Sequence, residues 1–309
     1  MAKPRNDFRD RMQLLAVRFV SMVMYCWPVE WSLAVAGFCG SVYYQLVRKH
    51  RDRAFENLRA SYPEKSDREL RKVAHESIRQ MFQFGVEFIF TPRLVRLETW
   101  GRYVELSEFR ETLDLMLRNR RGLILLTGHY GNWEVLGYVL ATLGFATTSV
   151  ARPLDNPYLS EYVFGVRERM GQKIVAKKGM TETVTEALAN GEMVGFTADQ
   201  DAGKKGLFVD FFGRKASAYK SIALLAMQYD IPIVIGSARR MRGKYRFICE
   251  TSDIIRPEQW KTQDDPLTYI TQRYTSAIEK AVRVDPSQYL WVHRRWKTRP
   301  KEELRAAAK

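Results

Sequence analysis

The spacing of hydrophobic positions changes near residue 120. Beyond it, short apolar runs bounded by turn residues alternate with segments of helical periodicity. The predicted strands are 123–127, 146–151, 172–176, 193–198, 231–237 and 245–251, and the predicted helices lie near 132–143, 158–170, 180–190, 217–229 and 265–283. This alternation predicts an α/β fold with a mixed, mainly parallel sheet flanked by helices. Functional residues are expected beyond the carboxyl ends of the strands.

The N-terminal region has a different pattern. From Phe19 to Val47 the only charged residue is Glu30, and basic residues flank this apolar run on both sides. Pro28 divides the run into two pieces, each shorter than the roughly 20 residues that a spanning helix needs. We therefore expect two aromatic-rich helices that lie in, or dip into, a bilayer with basic edges. One tilted span broken at Pro28 and a pair of buried core helices are the alternatives.

These patterns divide the chain into three parts. Residues 1–50 are expected to form a membrane-associated helical segment, residues 51–300 an α/β domain, and residues 301–309 a basic tail. The first part of the α/β domain is charged and helical, and Ser66 with Glu69 forms a predicted capping box at a helix start.

The composition restricts the partner and the compartment. The 50 Lys and Arg residues exceed the 35 Asp and Glu residues, giving a net charge of +15. An anionic partner is therefore expected: nucleic acid, a membrane surface or an acidic substrate. The 3 cysteines and 4 scattered histidines indicate a reducing compartment and argue against a zinc site. No nucleic-acid-binding motif and no G-x-S-x-G nucleophile elbow is present.

The strongest chemical motif follows the strand 123–127. His129 and Glu134 are five residues apart, which in one straight helix would turn them about 140° away from each other. They can meet only if His129 lies in a loop and Glu134 lies in the first turn of a helix capped by Asn132. Glu134 would then hold one imidazole nitrogen while the other accepts a proton, with free helix N–H groups facing the same point. A structural histidine beside a helix-start glutamate is the alternative.

Four other segments contain candidate chemistry. Arg152 follows a predicted strand in a proline-fixed loop and suits a phosphate or carboxylate, or is an ordinary surface arginine. Asp199 and Asp201 end another strand, where they could bind a cation, position a sugar hydroxyl or form a solvated turn. Residues 239–246 predict a basic hairpin tip, and residues 291–297 interleave aromatic and cationic side chains. The latter pattern suits a membrane interface, cation–π packing or nucleic acid.

Five blocks in order carry a family resemblance. They are GHYGNWE at 128–134, RPLDNP at 152–157, DQ at 199–200, VDFFG at 209–213 and WVHRRWKTRP at 291–300. Together they resemble the bacterial lipid A biosynthesis acyltransferase family, within the lysophospholipid acyltransferase superfamily, over nearly the whole chain. The resemblance implies a glycerolphosphate acyltransferase-like fold. It also implies a membrane-bound enzyme that moves a fatty acyl group from a thioester donor to a hydroxyl.

The resemblance also implies particular residues and partners. It assigns catalysis to His129 and Glu134, without a metal or other cofactor. The substrate contacts that it indicates are Arg152, Asn156, Asp199 and Gln200. The donor is expected to be acyl carrier protein or acyl-CoA, and the acceptor a lipid A precursor, related glycolipid or lysophospholipid at the cytoplasmic face of the inner membrane. An aminolipid or phosphatidylinositol mannoside acceptor, or a basic nucleic-acid-binding function, is the alternative.

Overall fold

A mixed sheet lies at the centre of the computed structural model, which describes residues 6–118, 121–145, 147–151, 153–169, 171–176 and 180–303. The described strands are β1 (Val104–Ser107), β2 (Leu123–Thr127), β3 (Thr147–Ala151), β4 (Gln172–Ala176), β5 (Met193–Thr197), β6 (Leu207–Phe211), β7 (Arg214–Ala218), β8 (Ile233–Arg240) and β9 (Phe247–Ile255). Seven of them form the order β1-β9-β8-β2-β5-β3-β4, in which only β8 and β9 pair antiparallel. The predicted mixed, mainly parallel sheet is confirmed.

Helices flank this sheet and precede it. The described α-helices are α1 (Asp7–Tyr25), α2 (Val29–Leu46), α3 (Arg48–Ser61), α4 (Asp67–Leu94), α5 (Trp100–Tyr103), α6 (Arg110–Arg118), α7 (Trp133–Thr142), α8 (Pro157–Arg169), α9 (Met180–Ala189), α10 (Lys220–Tyr229), α11 (Pro257–Trp260) and α12 (Pro266–Val284). The helix predicted over 217–229 begins later, because Ser217 and Ala218 pair with β6 in a two-stranded hairpin. The capping box of Ser66 and Glu69 is confirmed at the start of α4.

Helix α2 has a buried side and an exposed side, whereas α1 is largely exposed and buries only Ser21. Val29, Leu33 and Ala36 of α2 pack in one cluster with Val86 and Phe90 of α4, and the split at Pro28 is confirmed. Large apolar side chains nevertheless remain exposed along both helices and at the turn between them, so the interpretation as two wholly buried core helices is wrong. They are Phe8, Met12, Leu15, Phe19, Val20, Met22, Tyr25, Trp27, Trp31, Val35, Phe38, Val42 and Leu46. We call this set the N-terminal apolar face.

Neither N-terminal helix meets the length and hydropathy of a bilayer span, and the same holds for every other helix in the described residues. Most of the predicted tail, residues 304–309, lies outside the described part of the chain.

The predicted basic hairpin is confirmed between β8 and β9, but one of its arginines is buried. Arg240 lies at the end of β8 and pairs with Glu87 of α4 through both carboxylate oxygens, with an Nη2 to Oε2 distance of 2.6 Å. Glu87 also accepts a hydrogen bond of 2.8 Å from the side-chain amide of Asn132. Since breaking a buried ion pair leaves an uncompensated charge, these contacts attach α4 firmly to the sheet and to the loop after β2.

Candidate active site

His129 lies in the loop between β2 and α7, as predicted. Asn132 caps the helix, and its side-chain oxygen accepts hydrogen bonds from the backbone N–H groups of Glu134 at 3.1 Å and Val135 at 3.0 Å. These N–H groups are therefore engaged by the cap. The prediction that the helix start offers them to a ligand is wrong at both positions, because each donor already has its acceptor.

The backbone around Gly131 fixes the course of this loop. Gly131 has a φ of 62°, and a side chain there would collide with the carbonyl oxygen of Ala238 in β8. The N–H of Asn132 donates to the same carbonyl at 2.8 Å, and the N–H of Gly131 donates to the carbonyl of Gln288 at 3.1 Å. The loop is thus attached to both β8 and the C-terminal segment, which restricts where His129 can stand.

Parallel pairing brings His129 next to Asp199. Thr127 of β2 stands opposite Thr197 of β5, and each functional residue follows its strand by two positions. The Nδ1 atom of His129 lies 2.7 Å from Oδ1 of Asp199, and the backbone N–H of His129 donates to Oδ2 at 2.9 Å. Because an ionised carboxylate accepts hydrogen bonds only, Nδ1 carries the proton and Nε2 is the basic nitrogen.

Asp199 is ionised despite its burial, with a side chain that is 1% exposed. Burial alone would raise the pKa of this carboxyl group, but the positive charge of His129 when the ring is protonated, together with its hydrogen bonds, outweighs burial and holds the pKa well below its usual range. The arrangement keeps the imidazole in one orientation and would stabilise an imidazolium formed by proton uptake at Nε2.

Glu134 has a different partner from the predicted one. Its carboxylate binds Arg167 of α8 through two hydrogen bonds, one of them 2.9 Å between Arg167 Nε and Glu134 Oε2. The predicted contact between Glu134 and His129 is wrong, because Asp199 occupies Nδ1 of the imidazole. A bidentate pair with a guanidinium is also stronger than a bond to a neutral ring. Sequence reasoning missed Arg167, which lies within a helix and belongs to no recognisable spacing.

The other predicted site residues occupy distinct places. Gln200 is exposed, and its Nε2 atom lies 3.4 Å from Nε2 of His129. Asn156 is buried, and its side-chain amide donates to the carbonyl of Asp10 at 2.9 Å, which ties the start of α8 to α1. Arg152 lies outside the described residues. The structure thus brings Asp199 and Gln200 to His129 and gives Asn156 a structural attachment.

Aromatic rings and a cavity border the histidine. Trp133 meets the His129 ring edge to face with ring centroids 4.7 Å apart, and His293 does so at 4.5 Å. The cavity has a volume of about 220 Å³. Its lining residues are Ser77, Gln80, Met81, Phe84, His129, Gly131, Trp133, Arg240, Gln288, Tyr289 and Leu290. Sequence reasoning missed His293, because its segment read as an interface of aromatic and basic side chains.

The fold and the site together have the features expected of an enzyme. An oriented imidazole whose Nε2 is the basic nitrogen lies at the carboxyl edge of a mainly parallel sheet, beside a partly apolar cavity. The model of the family described as bacterial lipid A biosynthesis acyltransferase matches residues 4–298. The chain therefore belongs to this family, and it is an acyltransferase of a kind that acts on lipid acceptors.

Several proteins named as acyltransferases are similar to it. The lipid A biosynthesis lauroyltransferase of Escherichia coli (strain K12) is 25% identical over 90% of this chain and 89% of its own length. The palmitoleoyltransferase of the same organism is 24% identical over 84% of this chain and 83% of its own length. A phosphatidylinositol mannoside acyltransferase of Mycobacterium tuberculosis (strain ATCC 25618 / H37Rv) is 30% identical over 38% of each chain. The resemblance found in the sequence is confirmed.

Proposed function

We propose that this protein transfers a fatty acyl chain from a thioester donor to a hydroxyl group of a lipid A precursor or related glycolipid, with His129 as general base. Nε2 of His129 takes the hydroxyl proton as the oxygen attacks the thioester carbonyl. The carbon–sulfur bond then breaks, and the leaving thiolate takes the proton from His129. The observation that carries this proposal is the His129–Asp199 hydrogen bond of 2.7 Å, which leaves Nε2 as the basic nitrogen.

The neighbouring residues would divide the remaining tasks. Asp199 orients the imidazole and balances the imidazolium charge. Gln200, whose amide lies 3.4 Å from Nε2 of His129, would contact the reacting groups. Glu134, predicted as the second catalytic residue, would act through its ion pair with Arg167 by fixing the first turn of α7 against α8.

Arg152 stays a substrate contact predicted from the sequence, and Asn156 takes a structural role. Arg152 would bind an anionic group of a substrate, so Arg152→Ala should raise KM while kcat and the unfolding temperature change little. An unchanged KM for both donor and acceptor would refute that role. Asn156 would act by holding the start of α8, since its amide is already bound to α1.

The acyl chain of the donor would enter the cavity beside His129. Met81, Phe84, Trp133 and Leu290 give this cavity apolar walls, and the cavity reaches the histidine itself. Burial of methylene groups against such walls provides affinity of about 0.8 kcal/mol for each group. A chain bound there would present its thioester next to Nε2 of His129.

The central experiment compares two histidine variants of the purified, lipid-supplied protein. His129→Ala should abolish acyl transfer while the unfolding temperature stays near that of the unchanged protein. His75→Ala is the matched control, because His75 lies on α4 and packs against Tyr44 rather than His129. Transfer by His129→Ala at the rate of the control would refute the general-base assignment.

We further propose that the N-terminal apolar face rests on the inner membrane at its cytoplasmic side. Trp31 is 65% exposed and Phe38 is 68% exposed on α2, and basic residues flank the region. Aromatic and apolar side chains beside cations suit the boundary between headgroups and acyl chains. The double variant Trp31→Glu and Phe38→Glu should lose co-flotation with anionic vesicles. Leu117→Glu, at a residue of α6 that is 72% exposed, should keep it.

The donor is proposed to be acyl carrier protein, with acyl-CoA as the alternative. A net charge of +15 favours encounter with an acidic carrier, and salt should reduce that encounter rate. Comparison of kcat/KM for the two donors at low and high salt separates them.

The acceptor is identified by mass spectrometry of lipids from a deletion strain, in which a lipid A species lacking one acyl chain is expected. A loss confined to phospholipids, aminolipids or mannosides would replace the lipid A assignment.

A further inference from the structure

A second imidazole contacts the histidine of the site. The ring of His293 meets that of His129 with centroids 4.5 Å apart and an angle of 68° between the planes. The mechanism proposed above gives His293 no proton to carry and no substrate to bind. The two residues are far apart in sequence, so the contact depends on how the C-terminal segment is attached.

Main-chain hydrogen bonds fix that segment directly on the catalytic loop. The N–H of Leu290 donates to the carbonyl of His129 itself at 3.0 Å, and the N–H of His293 donates to Leu290 at 3.1 Å. The side-chain amide of Asn57 donates to the carbonyls of Trp291 at 2.8 Å and His293 at 3.1 Å. The position of the His293 ring is therefore set relative to the backbone of His129.

The imidazole of His293 is uncharged at neutral pH in this site. Burial, together with the nearby His129, lowers its pKa to about 4, although Asp199 acts in the opposite direction. Its Nδ1 atom is buried and has no hydrogen-bond partner in the described part of the chain. A buried polar atom without a partner costs free energy, and such atoms in native proteins call for an explanation. Its ring does contact the ring of His129.

We propose that His293 is a positioning residue, whose neutral ring holds the imidazole of His129 in its catalytic orientation. The proposal rests on the assignment of His129 as the base. Asp199 fixes one edge of the His129 ring, and the hydrogen bond alone permits rotation about its axis. Trp133 and His293 meet the ring edge to face and oppose that rotation. Because His293 is uncharged, it does not oppose the positive charge that His129 acquires during transfer.

Two substitutions at one position test this role. His293→Ala removes the ring and should lower kcat by about 10- to 100-fold with an unchanged KM, since a small misplacement of a reacting group has costs of this size. His293→Phe restores a neutral ring without nitrogen atoms and should recover most of the lost kcat. If the alanine variant does not fold, His293→Asn takes its place. Equal losses in the phenylalanine and alanine variants would refute a positioning role and indicate that a nitrogen of His293 is required.

A second measurement does not depend on acyl transfer. The chain has 4 histidines, so nuclear magnetic resonance of isotope-labelled histidine can follow the His129 ring after assignment with His129→Ala. The unchanged protein and His293→Phe should show a single Nδ1–H tautomer, and His293→Ala should show exchange between orientations or tautomers. An unchanged His129 signal in the alanine variant would overturn the proposal. Retained transfer by His129→Ala would instead refute the proposed base, while the resonance result still decides the positioning role.

Discussion

Burial of His293 should make the stability of the protein depend on pH in a defined window. The imidazole has a pKa of 6.5 in its ordinary state and about 4 in the fold, so between these values the unfolded chain binds a proton that the folded chain excludes. The free energy of unfolding should therefore fall as pH is lowered through this window. From this group alone, the loss between pH 7 and pH 4.5 is about 2 kcal/mol.

The variant His293→Phe should lack this contribution, because phenylalanine does not titrate. The other titrating groups are present in both proteins, so the difference between the two pH profiles isolates position 293. A loss of about 2 kcal/mol corresponds to a shift of about 3 °C in unfolding temperature for a chain of 309 residues. Thermal unfolding followed by circular dichroism at both pH values measures it. Parallel profiles for the two proteins would show that His293 titrates normally and is not desolvated as described.

Three other substitutions test separate parts of the structure. Asp199→Asn should lower kcat by about 10³- to 10⁴-fold in initial-rate assays, because an amide no longer holds the Nδ1–H tautomer of His129; a loss below tenfold would contradict that role. Gly131→Ala should destabilise the protein by at least about 2 kcal/mol, since φ is positive and the new methyl meets Ala238, and an unchanged unfolding temperature would contradict this. Ser66→Ala should lower the free energy of unfolding by about 1 kcal/mol, because it removes the N-cap of α4, while kcat stays constant. A fall in kcat would contradict this and show that the N-cap of α4 affects the active site.

The sequence was informative where a pattern is local. The periodicity of hydrophobic residues and the turn residues located β2, α7 and the two strands that neighbour β2 in the sheet, β5 and β8. Asn132 was recognised as a cap from its place before an apolar helix. The loop position of His129 followed from the same reasoning. The start of the helix predicted over 217–229 was misplaced, because residues 217 and 218 belong to β7 and pair with β6.

The partners of the charged side chains could not be read from the sequence. Glu134 was assigned to His129 because the two are near in the chain, yet the structure offers Glu134 an arginine from α8. The partnership of His129 with Asp199 depends on β2 and β5 being neighbours, which follows from strand order and not from spacing. His293 and Arg240 likewise meet their partners across distant segments. Motifs therefore identified the candidate residues, and the topology decided their roles.

Helix α4 contacts both helix α2, which carries part of the N-terminal apolar face, and the loop that carries His129. Gln83 donates to the carbonyl of Leu33 in α2 at 3.2 Å, and one turn further along Glu87 binds Asn132 beside the catalytic loop. Along this route, hydrogen bonds join the helix that carries part of the N-terminal apolar face to the loop of His129. The fold therefore sets the distance between the His129 imidazole and any surface on which that face rests. If that face rests on a membrane as proposed, His129 should reach only hydroxyl groups at the matching depth in the lipid layer.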